Sequence, residues 1–217
     1  MKSLLWSMGT LALLSGCAAP QPTSSQAPPS SQAPPAGAAV AEKPRPAKVG
    51  DWWEIKQNPA NPFRCSRWEF QGIKEGLHVV SCGNYIAYHR DEDYNWVRTT
   101  DRSGKVLAES TPYWPERSYP LWVGKEWKVR AKGFRVPNDR WTSDIRAKVT
   151  ALEDVVVAAG TFRAFRIELQ DYWRASGGGS GVYRGTYWYA QDAQVLIKGA
   201  GSDPKWDFEL ISWQYEP

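Results

Sequence analysis

From residue 49 to the C-terminus, apolar side chains recur at every second position, and a period of two admits strands and little else. The run "FRIELQ" sets Phe165, Ile167 and Leu169 on one face, with Arg166, Glu168 and Gln170 opposite. "IRAKVTA" repeats the pattern with Ile145, Ala147, Val149 and Ala151. Near the end, Trp206, Phe208 and Leu210 alternate with Asp207 and Glu209; then the phase slips by one, and Ile211, Trp213 and Tyr215 continue. A slip inside an unbroken strand pattern is what a β-bulge or a sharp bend produces, and curved sheets and barrels need such bends. No segment carries an amphipathic helical pattern three turns long. Turn signals ("RSGK", "VPND", "AAGT", "SGGGSG", "GSDP") separate the runs, as an antiparallel meander requires. The expected fold is all-β: a single antiparallel, strongly curved sheet, half-barrel or barrel-like, over 49–217, which is one domain's length.

The N-terminus has a different character. Lys2 precedes a mostly apolar segment, Leu4 to Leu14. That is short of the roughly 20 residues a membrane-spanning helix needs and has the proportions of a secretory signal peptide. Its ending, "LSGC", resembles a bacterial lipobox. The resemblance implies a signal peptide at 1–16 and a mature chain that begins with lipidated Cys17, its anchor to the membrane. One acyl chain, at ~0.8 kcal/mol per buried methylene, holds a protein only marginally, so two or three are needed. Ala18, rather than Asp, follows the cysteine; in diderm bacteria this favours the outer membrane, facing the periplasm. Residues 17–48 are rich in Pro, Ser, Gln and Ala, with "SSQAPP" twice in tandem at 24–29 and 30–35. With no side chain bulky enough to build a core, they read as a disordered linker. Extended at ~3.1 Å per residue, it would reach ~95 Å.

Charge closes one class of function. The chain has 27 basic and 23 acidic residues; removing the four basic residues and one acid of positions 1–48 leaves 23 against 22. The domain's net charge is thus +1, without the basic excess that nucleic-acid binding needs. Beyond Cys17 there are two cysteines, Cys65 and Cys82. In an exported protein they are expected to form a disulfide, worth roughly 3 kcal/mol for so short a loop. Pairing them across a hairpin would set Trp68 opposite Val79 and Phe70 opposite Leu77, two apolar pairs on one face.

Two segments, "VVVAAGTFRAFRIE" at 155–168 and "GTYWYAQDAQVLIK" at 185–198, resemble a widespread bacterial envelope family of unassigned activity, which has a "VPAGTF" hairpin and a "YWYAP" strand. The family also opens strands with "VG..W", matched by "VGDWW" at 49–53 and "VGKEW" at 123–127. The resemblance implies an architecture akin to the curved half-barrels of periplasmic lipoprotein carriers, and no catalytic residue. Ala158, Gln191 and Gln194 depart from the family pattern, which bears on turn details.

Chemistry is sparse. His78 and His89 are not spaced for a zinc site or a triad, and no cofactor or metal is expected. "SGGGSG" at 176–181 joins two strands rather than opening a helix. "DEDYN" begins like a calcium loop but has Trp96 at the sixth place and Arg102 at the twelfth. Aromatic density stands out, with twelve of thirteen tryptophans in the domain. The candidate ligand-binding segment is "TPYWPERSYPLW" at 111–122, whose prolines stiffen a loop bearing Tyr113, Trp114, Tyr119 and Trp122. The expected function is a non-enzymatic, lipid-anchored envelope module for an apolar or glycan ligand or a protein partner. A structural lipoprotein of a larger assembly and a cell-wall glycan hydrolase are the alternatives.

Overall fold

The computed structural model describes residues 33–217; the expected signal peptide, Cys17 and the first part of the linker lie outside the described residues. The strands are β1 (Trp52–Gln57), β2 (Arg67–Lys74), β3 (Leu77–Cys82), β4 (Tyr85–Arg90), β5 (Trp96–Asp101), β6 (Val106–Trp114), β7 (Glu126–Arg135), β8 (Asp139–Val157), β9 (Gly160–Ala175), β10 (Gly179–Ala190), β11 (Val195–Gly201) and β12 (Phe208–Gln214). Each pairs antiparallel with the next, and β12 returns to β1, so the curved sheet closes into a barrel.

Closure rests on bends that the strands carry. Glu54 pairs with Ser212 but Ile55 with Leu210, so Ile211 is a bulge at the place where the apolar phase slips. Leu210 is buried and Ile211 points to solvent. A second bulge falls at Thr150, between the pairs Val149–Ile167 and Ala151–Arg166. Glycines serve the same end. A side chain at Gly133 would fall 2.4 Å from the Trp141 ring, and one at Gly199 the same distance from the Phe208 ring. Only a bare backbone lets these rings lie flat across the strand, a usual device where a sheet curls.

The long strands β7 to β10 turn Trp127, Val129, Ile145, Val149, Ile167, Leu169 and Tyr189 inward as one continuous core. Outward they show Lys128, Arg130, Arg146, Lys148 and Glu168 to water. This is the reverse of a membrane-spanning barrel, which carries an apolar band outside. No helix among the described residues is long and apolar enough to cross a membrane.

Two segments without strand patterning contribute to the barrel's core. The loop between β6 and β7 folds inward and is held by buried polar groups. Asn95 accepts from the Arg117 N–H and donates to the Arg117 carbonyl, Lys125 Nζ donates to the carbonyls of Ser118 and Pro120, and Trp127 Nε1 donates to that of Pro115. The carbonyls of Pro115, Arg117, Ser118 and Pro120, which lie outside the sheet ladder, thus find donors. The end of the expected linker also packs inside. Ala41 and Leu121, both 0% exposed, exchange backbone hydrogen bonds of 2.8 Å. The folded unit therefore begins ahead of residue 49. Its opening stretch has no large apolar side chain, and backbone pairing at Ala41 and the Arg45–Asp51 ion pair hold it.

Cys65 and Cys82 form the expected disulfide, with Cα atoms 5.9 Å apart, inside the ordinary range. The register expected around it is not the one formed. Phe70 pairs with Val80, and Gly72, at φ +129°, with Val79, which makes Gln71 a bulge. Cys65 lies ahead of β2 rather than opposite Cys82 within the ladder. A Cys17→Ser chain, denatured without reductant, should show no reactive thiol in a titration. Two reactive thiols would contradict the pairing.

Candidate functional site

The hairpin turn at Gly83–Asn84 sets β3 against β4 so that His78 faces His89. Both rings point into a cavity of about 180 Å3 inside one end of the barrel. The apolar part of its wall is Trp53 and Ile55 from β1, Phe70 from β2, Val80 from β3, Leu196 from β11 and Phe208 from β12; the polar part is Arg45, Asp51, Tyr94, Glu116, Arg117 and Tyr215. A cavity of roughly 150 Å3 accepts one benzene ring, so this one has room for a single six-membered ring.

Asp51, from "VGDWW", closes one side. Its carboxylate accepts from the Arg45 guanidinium and from the backbone N–H groups of Lys48 and Glu216, each at 2.8 Å. Burial alone would raise its pKa, but these donors together hold it below the usual carboxylate value. Both oxygens are thus committed to tying the N-terminal segment, β1 and the C-terminus together. Glu116 is the opposite case: burial pushes its carboxyl up, against the pull of the neighbouring Arg117. His89 is pushed down to about 3 by burial, with the positive charge of Arg117 and the His78 ring adding to it.

Two nitrogens of lining residues are left without partners. His78, 3% exposed, is tied at Nε2 to Asp91 at 2.7 Å, and Asp91 is held in turn by Lys43 at 3.1 Å. Among the described residues no group hydrogen-bonds to His78 Nδ1, nor to Nε of Arg117, which is 8% exposed. Buried polar atoms without partners are rare, because each costs ~1–3 kcal/mol. Both belong to residues that line the cavity, but neither atom is itself open to it.

The aromatic residues expected to bind ligand lie elsewhere in the same interior. Trp122 is 3% exposed, with Lys125 Nζ 4.8 Å above its ring. Tyr119 packs edge-on against Tyr189 at 5.3 Å, Trp114 stands 6.4 Å from Tyr183, and Arg90 lies 4.0 Å over Tyr113. Tyr113 and Trp114, expected on a loop, end strand β6, and only Tyr119 and Trp122 belong to the infolded loop; none of these four rings lines the cavity. The residues that do, His78 and His89, are 11 apart in sequence without a motif. The hairpin signal "CGNY" between them was the available clue. "DEDYN" forms the β4–β5 turn, where Asp93 accepts from the Asn95 N–H. Among the described residues no cluster of three or more His, Cys, Asp or Glu could hold a metal ion.

No family model and no curated protein matches the chain. Among solved structures it is similar to a protein named "putative lipoprotein" from Parabacteroides distasonis (TM-score 0.46, 12% identity, 78% of this chain and 97% of that one). It is also similar to the hypothetical lipoprotein YmcC from Escherichia coli (TM-score 0.45, 10% identity, 75% and 84%) and to a protein named "putative exported protein with YmcC-like fold" from Bacteroides fragilis (TM-score 0.41, 10% identity, 81% and 100%). Likeness at these scores assigns no function.

Proposed function

We propose that this chain is a lipid-anchored envelope lipoprotein whose barrel is a non-enzymatic binding module, receiving a small apolar or glycan ligand in the cavity beside His78 and Arg117. The observation that carries the binding reading is the cavity of about 180 Å3 itself, whose wall sets the rings of Trp53, Phe70 and Phe208 beside polar groups. The anchor rests on "LSGC" at 14–17, and the outer membrane, facing the periplasm, is the proposed address.

Asp51 and Glu116 give the glycan-hydrolase reading its best footing, since two carboxyls with pKa values pushed apart in one cavity resemble an acid–base pair. Their geometry speaks against it. A nucleophile or base needs a free oxygen, and both oxygens of Asp51 are engaged by donors at 2.8 Å. Asp51 acts as a structural tie.

Mild-detergent extraction followed by intact and native mass spectrometry tests both halves of the reading. The wild-type chain is expected in the membrane fraction, with lipid mass on Cys17 and a separate, non-covalent small-molecule mass. Cys17→Ser should shift the chain to the soluble fraction. A processed, membrane-bound Cys17→Ser protein would refute the anchor; a wild-type chain carrying lipid alone would refute the binding module.

A further inference from the structure

A groove of about 420 Å3 lies across β6 to β9, sharing no residue with the cavity, and its wall sets Lys132, Arg140 and Arg174 against one acid, Glu109. We propose that this groove receives the phosphate of an anionic lipid headgroup, so that the anchored barrel rests this face on its membrane. The register of the sheet builds the site. Thr111 stands opposite Lys132, Lys132 opposite Thr142, and Thr142 opposite Arg174. In the next row Glu109, Phe134 and Arg140 align. These residues take the outer face, because the alternate positions Ser110, Ala131 and Ser143 are buried. Adjacent strands lie ~4.8 Å apart, which puts Lys132 and Arg174 roughly 10 Å from each other across Thr142. Arg140 is two residues from Thr142 along β8. All three cationic side chains are long enough to meet on one group above that threonine.

Charge decides what the group is. Several basic residues of the neighbouring surface have acidic partners: Arg130 meets Asp144 at 2.8 Å, Lys148 meets Glu126 at 2.8 Å, and Arg135 meets Asp139 at 3.4 Å. Lys132, Arg140 and Arg174 are exposed, and among the described residues none is paired with a carboxylate. Glu109 is occupied in part by Thr111, which donates to it at 3.3 Å. Three cations against one acid leave the groove two positive charges in excess, in a domain whose net charge is only +1. An uncharged ligand would leave that excess standing. A guanidinium's fork of donors matches phosphate oxygens in pairs, and the threonine hydroxyls add further donors. The anchor names the source. Ala33 is sixteen residues on from Cys17, at most ~50 Å at ~3.1 Å per residue, so an anchored barrel stays beside lipid phosphate. Phe134, half-buried with Arg140 5.7 Å over its ring, suits the boundary between headgroup and acyl chain. The inference rests on the anchor of the proposed function and not on the cavity.

The experiment is sedimentation of the mature Cys17→Ser chain with vesicles of phosphatidylcholine, alone or mixed with phosphatidylglycerol. The mixed vesicles should carry the protein down at low salt and release it in about 0.5 M salt, where charges are screened beyond ~4 Å. Pure phosphatidylcholine should leave it in solution. Lys132→Ala, Arg140→Ala and Arg174→Ala should each weaken binding about fivefold, the scale of one charge at an anionic surface. Lys128→Ala removes an exposed cation of β7 that lies outside the groove, and should leave binding nearly unchanged. Glycerol 3-phosphate, titrated by calorimetry, stands for phosphate free in solution. No binding to the mixed vesicles, an equal loss from Lys128→Ala, or binding of glycerol 3-phosphate without binding of vesicles would overturn the assignment. Fractionation of cells reads the anchor separately. Lipid mass on wild-type Cys17 with no vesicle binding by the soluble chain would condemn the groove alone, and the reverse result would condemn the anchor alone.

Discussion

Trp122→Ala should cost about 3–5 kcal/mol of stability, the range for removing a large aromatic from a core. For a unit of this size, that is a drop of roughly 6–20 °C in melting temperature. The ring is 3% exposed, and its neighbour Leu121, at 0%, pairs with Ala41 of the N-terminal segment. Removing it opens a hole beneath the loop that fills the barrel, and loosens the segment docked against that loop. Trp114→Ala should cost less, because Trp114 is only half-buried. Denaturant melts check both. A loss below ~0.5 kcal/mol for Trp122→Ala, the scale of surface substitutions, would mean that the loop stands out in solvent as a binding surface instead of filling the core.

The second large effect depends on pH. Asp171 is 4% exposed, and burial pushes its carboxyl up from 3.8 to about 6. The folded chain then keeps a proton that the unfolded chain has already released. Stability from this group is complete below about 4 and is lost as pH rises to about 6, by about 3 kcal/mol at ~1.36 kcal/mol per pKa unit. His89, pushed down from 6.5 to about 3, works the other way: its contribution is complete above about 6.5 and is lost as pH falls toward 3. Between about 4 and 6 the two oppose each other. Asp171→Asn should therefore raise stability at pH 7 by up to about 3 kcal/mol and leave a profile that declines on acidification. His89→Gln should leave one that declines as pH rises from 4 to 6. Melts at pH 4, 5, 6 and 7 read both; unchanged profiles would mean that neither side chain is buried as described.

Local features of the barrel were legible in the sequence and its long-range features were not. The alternation in "FRIELQ" and "IRAKVTA" marks the inward face because a strand's side chains alternate whatever its partners are. The slip at Leu210–Ile211 is the bulge at Ile211 for the same reason. The expected register around the disulfide does not form because Cys65 lies ahead of β2 and the ladder is broken between Phe70 and Gly72. Gly72, in the midst of a strand pattern, was the sign of the bulge at Gln71. The pairing of β12 with β1 joins residues some 160 apart, and no local pattern encodes it. The prolines of 111–122 point to a loop, yet β6 runs through Pro112 to Trp114, and they say nothing of which side of the sheet the rest of the loop takes. That was decided by Asn95, Lys125 and Trp127, polar side chains that supply its carbonyls with donors inside the barrel. The cavity was hidden for a related reason. His78 and His89 meet across a hairpin, and Arg117 reaches them from the infolded loop.

The most direct test of the binding site is to fill it. Val80 is buried on β3 and lines the cavity beside Phe70, so Val80→Phe would place a ring in the space while leaving Cys17 and the outer face untouched. Near-UV circular dichroism first establishes that the variant is folded. Native mass spectrometry is then run on wild-type and Val80→Phe chains extracted side by side from the membrane. Both should carry lipid on Cys17, and only the wild type should carry the non-covalent small-molecule mass. The same bound mass on both chains, or on neither, would contradict the cavity's role as the ligand site.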